Sequence, residues 1–262
     1  RIMMEQDFIS NPFLPEGKFF WGDNPPFYPV EKPCGTLFQK YNGDRGHSLQ
    51  ENDFSKEDQS LLYERIFEAN VAEQVILSKN PYNTVRLEWL KRMFPKSIVV
   101  AIYRTPVSNI YSLLKKYCLK NDQDFINEWW GIKPNEWRGL QSKNKLLQCA
   151  NQWNAVNKQL ILNQHLIDLN VNYESLCDNP NLILSNIVSL LNINMNITSI
   201  PPLINFNNEY LKGSRLESKN KELRKNKDFQ LKSLNEELEF PPLTSQDCAK
   251  VSNLCSDVWH QL

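Results

Sequence analysis

The sequence predicts an α/β fold in three layers, a parallel sheet flanked by helices on both faces. Three observations predict it. The run Ile98-Val99-Val100-Ala101-Ile102-Tyr103 is continuously apolar and rich in β-branched residues, as a strand covered on both faces requires. Apolar runs at 74–78, 98–103 and 166–173 alternate with segments of helical period, the pattern of strand–helix–strand units. Each of those runs ends on, or leads directly into, a residue suited to an anion or a ring, Lys79, Arg104 and Tyr173, and open α/β sheets bind ligands at the carboxyl ends of their strands.

The elements come in this order. Ile2–Phe8 reads as a short strand ending in acidic residues, and Asn11–Gly46, rich in Pro, Gly and aromatics, as an ordered loop region. Ser55 caps a helix to about Asn70, with Asp58 at the capping-box position. A strand over Gln74–Ser78 leads into the loop Lys79-Asn80-Pro81, and Tyr82–Phe94 is a helix stopped by Pro95. Pro106 sits just inside the helix after Arg104, and Ser112 lies a little over two turns into it. Gln123–Leu140 carries Trp129, Trp130 and Trp137 around Gly131 and Pro134, a folded-over excursion.

Lys143–Asn163 is a long helix, with Leu146, Leu147, Ala150, Trp153, Val156, Leu160 and Ile161 at helical spacing. Leu166–Tyr173 is the next strand. Pro180 opens a helix to Leu191, residues 194–209 form an Asn- and Pro-rich connection, and a helix from Ser245 to about Gln261 closes the chain. No repeat and no break in composition divides the sequence, which reads as a single domain over 1–262.

Thirty basic and thirty acidic residues leave the formal net charge at zero. No global field draws the chain to nucleic acid, so any anion site is local. The six Cys lack CxxC spacing and the three His stand apart. That argues for reduced thiols in a reducing compartment and against a metal site. No stretch is long enough to span a membrane, and a cytoplasmic location is expected. The nearest approach to a Walker A loop, Gly17 to Gly22, is followed by Asp23 and Asn24 where Lys and Ser/Thr are needed, which argues against a self-sufficient NTPase.

The chemistry-bearing residues are few. Arg104 supplies a forked set of donors beside a helix start, and the Ser112 hydroxyl can face the same anion. Lys79 can neutralise an anionic group in transfer, or be a solvated loop lysine. Tyr173 can pack on a nucleobase, or be a core tyrosine with its hydroxyl at the rim. Lys212-Gly213-Ser214-Arg215 is a basic turn that permits close backbone approach to an anion, within a run to Lys232 where basic residues exceed acidic ones by about five. The Trp129/Trp130/Trp137 cluster reads equally as an acceptor pocket or as a hydrophobic clasp. His47, Glu5 and Asp7 are the candidate general bases.

The set Lys79-Asn80-Pro81, Phe94-Pro95, Arg104-Thr105-Pro106 with Ser112, Tyr173-Glu174-Ser175-Leu176 and Lys212-Gly213-Ser214 resembles the PAPS-dependent sulfotransferases, and more the bacterial-type and tyrosylprotein branches than the small-phenol one. The resemblance runs from about Gln74 to Ser214. It implies a P-loop NTPase-like sulfotransferase fold and transfer of a sulfuryl group from 3′-phosphoadenosine 5′-phosphosulfate (PAPS) to a hydroxyl or amine of a small molecule, glycan or peptide, without a metal, nucleic acid or membrane partner. Arg104 and Ser112 would bind the 3′-phosphate, with Lys212, Gly213 and Ser214 closing over it. Tyr173 would contact the adenine, Lys79 would stabilise the sulfuryl group in flight, and Glu5 would be the base. Two departures stand out. The family's 5′-phosphosulfate loop, with its strand and helix, is not found. Arg1–Glu5 is similar to the segment just after that helix, which predicts an N-terminally truncated domain. Val107 and Ser108 replace a frequent basic and acidic residue. The competing readings are an inactive nucleotide-binding scaffold of the same fold and a relative of the P-loop kinases.

Overall fold

The computed structural model describes residues 9–10, 44–68, 75–118, 129–192 and 242–262. Four short strands form two parallel pairs. Ile9–Ser10 (β1) lies beside Val75–Ile76 (β2), with Ile9 opposite Val75. Val100–Tyr103 (β3) lies beside Leu169–Asn172 (β4), with Val100 opposite Leu169 and Tyr103 opposite Asn172. Parallel pairing with helical crossovers is the α/β pattern the sequence predicts. Among the described residues the pairs stand as two two-stranded sheets, not one continuous sheet. The expected strand at Ile2–Phe8 lies outside the described residues.

The helices obey their capping signals. Lys56–Glu68 (α1) starts where the Ser55 hydroxyl accepts the Asp58 N–H at 3.0 Å. The helix expected at Tyr82–Phe94 is two pieces, a 3-10 turn Pro81–Val85 and Leu87–Met93 (α2). They part at Arg86, whose backbone (φ −151°, ψ 36°) is not helical and whose Nε donates to Asn83 Oδ1 at 3.0 Å. Arg86 is 1% exposed. A guanidinium so buried has to be hydrogen-bonded, and breaking the helix there lets Asn83 reach it.

Pro106–Cys118 (α3), Lys145–Leu162 (α4), Tyr173–Asp178 (α5), Pro180–Leu191 (α6) and Ser245–Trp259 (α7) complete the set. The Asn144 side chain caps α4 through the Leu147 N–H, and Thr244 with Asp247 forms a full capping box on α7.

The main core joins α3, α4 and α7 through Ile110, Leu114, Tyr117, Cys149, Ala150, Trp153, Val251, Cys255 and Val258. Cys149, Cys177, Cys248 and Cys255 are free thiols, and burial pushes Cys255 up to about 12. A second cluster holds α1 to α2 through Leu62, Trp89 and Met93. A third seats Leu87 and Leu160 on Val99 and Ala101, which places α2 and α4 against one face of β3. On its other face Ile102 is 54% exposed, so the expected covering of both faces is not met among the described residues. An apolar run reports the capacity to be buried, not what is there to bury it.

Asp168 fixes the start of the β3–β4 pair. Its carboxylate accepts the Val99 N–H at 2.8 Å and Lys91 Nζ at 2.9 Å, and Lys91 also donates to the Ser97 carbonyl at 2.6 Å. Partial burial pushes the Asp168 carboxyl upward, but the Val99 N–H and the Lys91 ammonium outweigh it and hold it below the usual range. One carboxylate thus ties α2 to both strands and sets which residues end them together.

Candidate functional site

The β3–β4 register brings Tyr103 and Asn172 side by side, so the next residues, Arg104 and Tyr173, leave the sheet as neighbours. The Arg104 guanidinium lies 5.0 Å over the Tyr173 ring. The same guanidinium places Nη1 3.5 Å from Ser112 Oγ, back along α3. Two donors 3.5 Å apart can each stand about 2.8 Å from one oxygen between them. Three of the residues singled out in the sequence therefore meet at one rim: a forked cation, a hydroxyl and an aromatic ring.

Tyr173 is not the end of the strand, as its apolar neighbours predict, but the first residue of α5. Asn172 is the reason, because its side chain accepts the Ser175 N–H at 3.0 Å and caps the helix one residue early. The Tyr173 phenol is pushed up to about 12, by burial and by a hydrogen bond with Cys177, against the pull of Arg104. It is a neutral ring in any physiological solution.

The sequence assigns no role to two residues that meet at the turn from β3 to α3, Ser108 on α3 and Glu174 on α5. Glu174 Oε1 accepts the Thr105 N–H at 3.3 Å, while Oε2 is buried with no hydrogen-bond partner. The helix start expected to offer its N–H groups to an anion has the Thr105 N–H already taken by a carboxylate. Ser108 is 1% exposed, and its hydroxyl lies 2.6 Å from that of Thr105. Its hydroxyl is folded into the turn, where it also donates to the Thr105 carbonyl at 3.2 Å. The pattern Arg-Thr-Pro-x-Ser shows a hydroxyl pair at hydrogen-bonding spacing. Only the tertiary register shows Glu174.

Lys79 is exposed and lies beyond the end of β2, and it lines the same cleft as Arg104 and Tyr173. The Asn80 side chain accepts the Tyr82 N–H at 3.0 Å and shapes the loop carrying Lys79. Tyr82 stacks on His47 with ring centres 4.2 Å apart. His47 Nδ1 accepts the Lys133 N–H at 2.8 Å, and the His47 N–H donates to the Lys133 carbonyl at 2.7 Å. A neutral imidazole whose Nδ1 accepts carries its proton on Nε2. His47 is therefore a donor toward its surroundings, and the reading of it as a general base fails on this geometry. Gly46 has φ +53°, and a Cβ there would fall 2.4 Å from the Lys133 carbonyl oxygen, so the approach of the two segments requires glycine.

The tryptophan cluster is chiefly a clasp. Trp129 and Trp137 meet edge-to-face at 5.8 Å and are buried. The Trp129 indole donates to the Ile132 carbonyl at 2.6 Å, and Gln152 Nε2 donates to the carbonyls of Trp130 and Ile132 at 2.8 and 3.1 Å. Trp129 and Trp130 nevertheless line the cleft, so the two readings of the cluster coexist.

Glu5, Asp7, Lys212, Gly213, Ser214 and Arg215 lie outside the described residues. Among the described residues no group of His, Cys, Asp and Glu is arranged to hold a metal ion, and no helix is long and apolar enough to cross a membrane.

A cation, a hydroxyl and a ring at the carboxyl ends of neighbouring parallel strands make a rim suited to an anion in an α/β protein. Comparison with protein families agrees: the sulfotransferase family model matches residues 33–196. That is more than half of the chain, and the chain belongs to the sulfotransferase family. Comparison with curated proteins gives no match, and comparison with solved structures gives none.

Proposed function

We propose that this protein transfers a sulfuryl group from PAPS to a hydroxyl or amine acceptor. Membership of the sulfotransferase family supports the reaction class. The observation that carries the donor assignment is the meeting of Arg104, Ser112 and Tyr173 at one rim. A ribose 3′-phosphate oxygen set between the guanidinium and the hydroxyl would bring the adenine toward Tyr173. Charge-assisted bonds of this kind are what separate a 3′-phosphorylated adenosine from a plain one.

In the reaction the acceptor oxygen or nitrogen attacks sulfur, the bond from sulfur to the 5′-phosphate oxygen breaks, and the acceptor proton passes to a base. Negative charge grows on the departing phosphate oxygen, and Lys79 is assigned to meet it. A preorganised cation at such a point contributes roughly 3 to 4 kcal/mol. Glu5 is the proposed base and Lys212, Gly213 and Ser214 the proposed cover over the 3′-phosphate. No metal enters this scheme. The same reading makes the chain one sulfotransferase domain, with a three-layer arrangement around the parallel strands.

The test is transfer of labelled sulfate from PAPS to a broad acceptor panel by the full-length protein, with calorimetry using 3′-phosphoadenosine 5′-phosphate (PAP). Transfer together with PAP binding is expected. PAP binding without transfer to any acceptor would favour an inactive scaffold, and magnesium-dependent ATP binding without PAP binding would favour a kinase relative.

A further inference from the structure

The described lining of the cleft is strongly one-signed in a chain whose total charge is zero. Among its described lining residues are Lys79, Lys96, Arg104, Lys116 and Lys133, and no Asp or Glu. The donor reading uses only Lys79 and Arg104. Lys116 lies on the face of α3 that also presents Asn109 and Leu113 to the cleft. It is ten residues beyond Pro106, about 15 Å along the helix, and one turn beyond Ser112. Its ammonium lies 5.9 Å from the Trp130 ring centre and forms no ion pair with a described carboxylate; the residue is exposed. Lys133 flanks the same wall, with Nζ 4.5 Å from the Trp137 ring centre.

This wall is continuous with the Lys79 loop. The loop leads to Tyr82, Tyr82 stacks on His47, and the His47 backbone and ring are bonded to the backbone of Lys133. Gln152 fixes Trp130 and Ile132 from behind, and the Trp130 N–H donates to the Tyr117 hydroxyl at 2.9 Å. The ring and the two lysines are thus set on a braced wall. A flat ring face beside ammonium groups recognises a ligand with a ring and an adjacent negative charge.

We propose, resting on the sulfotransferase reading, that this wall is the acceptor subsite and that the acceptor is an anionic ring compound, with Trp130 packing on its ring and Lys116 and Lys133 meeting its charge. Two sources share this chemistry, an acidic sugar and an aromatic acid.

The test compares matched pairs on the full-length protein: methyl β-glucuronide against methyl β-glucoside, and 4-hydroxybenzoate against 4-hydroxybenzyl alcohol. Affinity is read by tryptophan fluorescence with and without saturating PAP, and KM and kcat are read with PAPS. In at least one pair the anionic member binds about tenfold more tightly or better, as one charge-assisted contact allows, and PAP does not abolish the difference. The pair that responds identifies the source. Lys116→Gln reduces that ratio at least threefold, and Lys133→Gln acts in the same direction. Equal affinities in both pairs, no binding of either, a preference that PAP abolishes, or a Lys116→Gln protein with an unchanged ratio would each overturn the proposal. PAP binding and transfer to neutral acceptors would survive such a failure, whereas failure of the sulfotransferase reading would remove them.

Discussion

Replacing Arg104 separates the donor reading from general electrostatics. Arg104→Lys keeps one positive charge at the rim but loses the fork that spans Ser112 and the anion. A hydrogen bond to a charged group contributes about 1.5 to 3 kcal/mol, and the planar guanidinium over Tyr173 adds about 0.5 to 1 kcal/mol. The lysine keeps part of the first and little of the second. PAP affinity is therefore expected to fall about 10- to 100-fold in Arg104→Lys, and further in Arg104→Ala. Adenosine 5′-phosphate, which lacks the 3′-phosphate, is expected to lose less than about threefold. The assay is calorimetric titration of both nucleotides at two ionic strengths, because a mere field effect would be screened by salt for both ligands alike. Equal losses for the two nucleotides, or a lysine variant that binds PAP as well as the parent, would refute the assignment.

The same geometry carries further expected outcomes. Lys79→Met is expected to lower kcat about 100-fold or more while PAP affinity changes by less than about tenfold, read by steady-state rates and calorimetry. A matching collapse of PAP binding would move Lys79 out of the transfer step. His47→Ala removes the acceptor for the Lys133 N–H and is expected to cost about 1 to 3 kcal/mol in denaturant unfolding. An unchanged midpoint would contradict the bracing role. Asp168, held below its ordinary pKa, stabilises the fold above the unfolded carboxyl value near 3.9, and that contribution is lost as pH falls through its lowered folded value. Its side chain is 37% exposed, so the contribution is no more than about 1 kcal/mol. Asp168→Asn is expected to lower stability at pH 7 and to flatten its fall between about pH 5 and pH 3. An unaltered acid profile would show that the carboxylate does not carry it.

Much of this arrangement is legible in the residues, because local chemistry fixes it. Pro180 opens α6 at its first residue, and the Thr244–Asp247 box starts α7. The pairing of Arg104 with Ser112 comes from a strand, a proline and about two helical turns. What could not be read depends on tertiary partners. Pro81 and Asn80 announce a helix, but the buried guanidinium of Arg86 breaks it. The Asn172 cap is written in the Asn-x-x-Ser pattern, and it loses to the apolar run beside it until the helix is seen. Glu174 reaches the Thr105 N–H only because β3 and β4 pair in their particular register, which spacing alone does not give. The one-signed lining that the described residues give the cleft is likewise invisible in a sequence of balanced charge.

The most direct test is a crystal structure of the full-length protein with PAP. The account predicts a 3′-phosphate oxygen within hydrogen-bonding distance of both the Arg104 guanidinium and the Ser112 hydroxyl, the adenine against Tyr173, and the 5′-phosphate toward Lys79. A nucleotide seated elsewhere, or held with its 3′-phosphate away from Arg104, would contradict it.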